Sequence, residues 1–183
     1  MSRRQARMGG ILRAGGVASV AGGLLWALEG VLGESFPAAM IFIAPLLLAT
    51  GLAGFYFEQR PRLKGLGQSG FTQSVAGLTL LAAGFFGAYT LGDESLLRVA
   101  SFGFLITAFG LVLTGYACIK EGVLAREAGV PLRLDWLPLA LGAVAPLGLL
   151  FGGIEPLRLV LALLFGAGWI VLGLATIVMN REE

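Results

Sequence analysis

Histidine is absent from this chain and cysteine occurs once, at Cys118. Together these exclude histidine-ligated haem, imidazole acid–base catalysis, thiolate zinc centres, iron–sulfur clusters and any disulfide within the chain. Charge is also scarce. Only 13% of the 183 residues are charged, against about 25% in a soluble domain, too few to cover a water-facing surface. Glycine is abundant (29 residues) and proline is not (7), but there is no collagen period and no long polar tract. Fibrous and disordered classes are therefore excluded as well. No phosphate loop, dinucleotide fingerprint, acidic metal cluster or nucleophile elbow occurs, and Gly9-Gly10 and Gly15-Gly16 do not follow a strand. No cofactor, no metal and no catalytic residue set is expected. Nucleic-acid binding has nothing behind it except a net charge of +2, which membrane topology explains.

What the chain does have is apolar length: 57% of its residues are hydrophobic. They fall into six runs, at about 11–32, 38–57, 71–92, 97–119, 136–153 and 158–179. A helix needs about 20 residues to cross about 30 Å of hydrocarbon, so run length alone predicts membrane spans. Unpaired backbone groups are not tolerated in lipid, and the alternation expected of a membrane barrel is missing. The expected fold is therefore an all-α membrane protein with six transmembrane helices in one domain, residues 1–183.

Orientation follows from the basic residues, which favour cytoplasmic loops. Arg3, Arg4, Arg7, Arg13, Arg60, Arg62, Lys64, Lys120, Arg126, Arg133 and Arg181 lie on one side, and only Arg98 and Arg158 on the other. Both termini are expected in the cytoplasm. Ser2-Arg3-Arg4-Gln5 ahead of an apolar run invites a leader-peptide reading. With no small-x-small cleavage site and a first span reaching about residue 32, an uncleaved first helix is expected instead. The longest loop, about 120–135, reads as a charged interfacial extension of the fourth helix.

Short motifs recur about every 60 residues. Leu32-Gly33-Glu34-Ser35, Leu91-Gly92-Asp93-Glu94-Ser95 and Gly152-Gly153-Ile154-Glu155-Pro156 close the odd spans, while Gly51-Leu52-Ala53, Gly115-Tyr116-Ala117 and Gly173-Leu174-Ala175 echo one another in the even ones. The chain thus reads as three helical hairpin repeats, about 11–60, 70–121 and 135–181. Chance similarity of short glycine-and-acid turns is the competing explanation.

Three features carry candidate function. Gly15, Ser19, Gly23 and Ala27 form a stripe of small residues four apart, which suits close helix packing in lipid. It serves either internal packing or a homo-oligomer interface. Glu29 is the one acid well inside a span, about 24 Å along the axis from Arg13, and intramembrane acids often mark ion, proton or substrate paths. Arg98 and Arg158 open the fourth and sixth spans at the same level. Glu29, Arg98 and Arg158 form either an outer polar entrance or groups reaching the headgroups by snorkelling. Pro45 and Pro146 are expected to kink helices two and five, and the scattered hydroxyls from Thr50 to Tyr116 serve helix–helix bonding or a weakly polar pathway.

Ile11-Leu12-Arg13-Ala14-Gly15-Gly16 leading into Gly22-Gly23-Leu24-Leu25-Trp26, within three two-helix units, resembles the HdeD-like short-repeat bacterial membrane proteins. The resemblance spans nearly the whole chain, although Ala27 stands where that family often has a proline soon after the tryptophan. It implies a bacterial inner-membrane protein tied to envelope or acid stress, without an established catalytic residue set. Two functions follow as expectations. One is a non-enzymatic membrane protein that binds lipids, a partner or further copies of itself. The other is a small transporter or channel entered at Glu29, Arg98 and Arg158.

Overall fold

The computed structural model describes residues 3–123, 134–151 and 153–179. Six α-helices account for nearly all of them: α1 (Arg3–Leu32), α2 (Ala38–Gln59), α3 (Leu66–Thr90), α4 (Leu97–Glu121), α5 (Leu137–Phe151) and α6 (Glu155–Met179). No strand occurs among the described residues. All but α5 are long and apolar enough to cross a membrane. The reading of 120–135 as a charged extension falls largely on residues 124–133, outside the described residues.

The turns explain where the helices stop. Gly33 (φ +53°) and Gly122 (φ +60°) adopt the left-handed conformation open to glycine at little cost. The Gly122 N–H donates to the carbonyls of Cys118 and Ile119, closing α4. Pro37 precedes α2, where its missing donor costs nothing. Between α3 and α4 the Asp93 carboxylate accepts from the Ser95 N–H at 3.0 Å and from the Ser95 hydroxyl at 2.6 Å.

Each helix packs on its chain neighbour, and α1 closes the set by packing extensively on α6. Glycines set these crossings. A Cβ at Gly15 would lie 2.7 Å from the Gly54 Cα on α2, and one at Gly16 would lie 2.9 Å from the Gly173 carbonyl oxygen on α6. Similar contacts join α3 to α4, where a Cβ at Gly77 would lie 2.6 Å from the Gly103 oxygen, and α4 to α5, where one at Gly142 would lie 2.7 Å from the Ala108 oxygen. The contact between α5 and α6 is lighter. At the centre Leu48, Leu52, Phe55, Leu78, Leu111 and Trp169 are fully buried.

Most intrahelical hydroxyls are consumed locally. Thr50, Thr79, Ser101, Thr107 and Thr176 each donate to the carbonyl four residues before, at 2.9 Å. Ser19 instead bridges helices, donating to the Trp169 carbonyl at 2.9 Å.

Candidate functional site

The small-residue stripe of α1 divides between two neighbours. Gly15 and Ser19 meet Gly54 and Gly51 of α2, whereas Gly23 and Ala27 meet Gly166 of α6. Gly16, Gly23 and Gly30, seven apart, run along α6 against Gly173, Gly166 and Ala162. Of this seam only Gly23 belongs to the four-residue pattern, and the seam decides where the last turns of α1 lie. With α6 drawn in against Gly30, Glu29 on the adjoining face is directed between the helices and is half-buried.

It opens onto a cavity of about 340 Å³ bounded by α1, α3, α4, α5 and α6. The wall is mostly apolar, and its polar members are Glu29, Arg158 and Ser101. The Ser101 hydroxyl is already donated to the Leu97 carbonyl at 2.9 Å, which leaves the two charged groups to mark the site. Trp26, one turn deeper on α1, stacks parallel to Phe104 with ring centroids 5.7 Å apart. Phe165 is tilted against both, at 5.2 Å from Trp26 and 5.7 Å from Phe104. A smaller cavity of about 70 Å³ lies on the other side of Glu29, toward Phe36 and Tyr89. Trp26, Glu29 and Phe85 line both cavities and form the partition.

Arg158 stands nearer the end of α1 than Glu29 does. A Cβ on Gly33 would lie 3.2 Å from its guanidinium nitrogen, which places the cation over the last turn of α1. Carbonyls there lack intrahelical donors and the helix dipole is negative, so a cation is favoured. The field of Arg158 reaches Glu29. Among the described residues no hydrogen bond or ion pair reaches the Glu29 carboxylate. Arg98 is exposed and takes no part in the cavity wall.

The structure thus brings together Glu29 and Arg158 and leaves Arg98 outside. The aromatic wall was not singled out from sequence. Trp26 carried a usable signal, because positions three apart on a helix share a face. Phe104 and Phe165, in distant helices, carried none. Leu97, Ser101 and Leu149, on the α4 and α5 sides of the cavity, are exposed, so the cavity borders the bundle surface there. Geometrically the site can hold a small molecule with an apolar body and a polar end. Comparison of the chain with protein-family models, curated proteins and solved structures gave no match.

Proposed function

We propose that this is a non-enzymatic, multi-pass protein of the bacterial inner membrane that binds and carries a small amphipathic molecule in the cavity beside Glu29. The cavity itself carries this reading. Its volume of about 340 Å³ falls in the range of small-molecule pockets, and its wall is apolar with few polar groups, as in such sites. The carrier reading is preferred to self-association through the α1 stripe because Gly15, Ser19, Gly23 and Ala27 are occupied by α2 and α6. A partner-binding or envelope-stress role, as the HdeD-like resemblance implies, is compatible with a bound ligand acting as its signal.

Six crossings with both ends cytoplasmic belong to the same proposal. The α1–α6 contacts run in opposite residue order, from Gly16 with Gly173 to Gly30 with Ala162, so α6 begins where α1 ends. Antiparallel contacts between α3 and α4, from Gly70 with Gly110 to Gly84 with Ala100, put the end of α4 at the opposite side. These helix directions support a sixth crossing between α4 and α6. The 15 residues of α5 supply about 22 Å of such a crossing as helix. In the three-hairpin reading, the third hairpin is parted by the cavity.

Gly148→Leu tests the function. A Cβ there has only Phe104 Cε1 nearby, at 4.0 Å, so a larger side chain has room to grow into the cavity. Wild-type protein purified gently from native membranes should carry a small amphiphile, visible by mass spectrometry, that the variant lacks. Identical small-molecule profiles from the two would refute the proposal.

A further inference from the structure

The geometry points to an organic cation with an apolar body as the molecule held in the cavity, its charge beside the Glu29 carboxylate and its body against Trp26, Phe104 and Phe165. This rests on the ligand-binding reading above and adds the charge and class of the ligand.

Three observations converge on it. First, Glu29 is half-buried in an apolar wall and has no hydrogen bond or ion pair among the described residues. A carboxylate in such a place is costly until a partner compensates it. Arg158 offsets only part of that cost, because burial outweighs its field at Glu29; a cationic ligand offsets the rest, a neutral one does not, and an anion beside Glu29 adds repulsion in a medium of low dielectric constant. Second, the native cation that shares the cavity wall lies farther out. Arg158 has its guanidinium over Gly33 at the end of α1, about one turn beyond Glu29 along the axis. The aromatic end of the cavity therefore meets Glu29 rather than Arg158. Third, Trp26, Phe104 and Phe165 cluster with centroids 5.2 to 5.7 Å apart within the same wall. Aromatic faces carry negative quadrupole density and attract cations most strongly where water is excluded.

Size narrows the class further. A volume of about 340 Å³ lies at the lower end of the small-molecule range, which suits a single compact cation with one apolar group. The exposed Leu97, Ser101 and Leu149 lie beside the cavity between α4 and α5, and a lipophilic cation dissolved in the adjoining leaflet would reach it from that side.

The test uses the full chain in lipid nanodiscs and three probes: benzyltriethylammonium, its uncharged carbon isostere, and benzylsulfonate. Binding is measured by equilibrium dialysis against empty nanodiscs to subtract partition into lipid. The ammonium should bind about tenfold more tightly than the isostere, or better. Glu29→Gln should abolish that preference without changing affinity for the isostere, and Glu29→Asp should retain most of it. Equal binding of ammonium and isostere, or tighter binding of the sulfonate, would overturn the inference, and this comparison needs no variant to fold. Arg158→Gln costing as much as Glu29→Gln would also overturn it, by pointing to a zwitterion held at both charges. Ligand lost from the Gly148→Leu variant in native membranes, with no ammonium binding to wild type, rejects the cation alone. Identical native profiles for wild type and Gly148→Leu reject the ligand-binding reading itself.

Discussion

Gly23 on α1 and Gly166 on α6 face one another so closely that a Cβ on either would lie 2.6 Å from the carbonyl oxygen of the other. Backbone meets backbone at this point, and Glu29 lies six residues, about 1.7 turns, farther along the same helix. Closeness here is what sets the rotation of α1 and turns Glu29 toward the cavity.

Gly23→Ala should therefore destabilise the bundle by about 1–3 kcal/mol, the usual cost of overpacking, because the obstructing atom is a backbone oxygen that cannot move aside. Gly153→Ala, where nothing lies within 4 Å, should stay within about 0.5 kcal/mol of wild type. Denaturant titration in mixed micelles, followed by circular dichroism, compares the two. Equal costs would mean that the α1–α6 seam is not as tight as described.

Gly148→Leu should behave unlike Gly23→Ala. Its added atoms enter the cavity, so unfolding should shift by no more than about 0.5 kcal/mol while ligand is lost. A large destabilisation in the same titration would show that α5 has no free space on this face.

Orientation is testable by cysteine labelling, because Ser35, Ser95 and Gln68 are all exposed. The positive-inside rule, which assigns eleven of the thirteen basic residues to the cytoplasmic side, predicts that an impermeant thiol reagent labels Ser35→Cys and Ser95→Cys in intact cells. Gln68→Cys should react only after lysis. Labelling of Gln68→Cys from outside would reverse the orientation.

Background from the native thiol should be low. Cys118 is 0% exposed and sits in the core beside the α4 end, so a thiol reagent has to wait for local opening. In mild detergent its modification should be about a hundredfold slower, or more, than after unfolding in dodecyl sulfate. Rapid labelling of folded protein would place Cys118 nearer the surface than described.

Helix existence was legible from sequence because the hydrocarbon thickness imposes a length that apolar runs must meet. Expected spans at 38–57 and 97–119 lie within α2 (Ala38–Gln59) and α4 (Leu97–Glu121). The run at 136–153 appears as the shorter α5 (Leu137–Phe151), whose helix alone does not meet that length. Glu29 could be singled out because an acid in an apolar run is conspicuous. Its surroundings could not. In water an amphipathic pattern shows which face of a helix turns inward, but in lipid the outward face is as apolar as the inward one, so the order of residues leaves rotation nearly free.

Composition and run length by themselves determined that this chain is helical, apolar enough for the membrane and marked by one unusual acid. Only the tertiary structure decided that Gly23 faces Gly166, that Arg158 lies over Gly33 while Arg98 stays outside, and that Trp26, Phe104 and Phe165 from three helices line one cavity. The physical reason is that steric fit between backbones, which depends on pairs of residues far apart in the chain, selects helix rotation where hydrophobicity cannot.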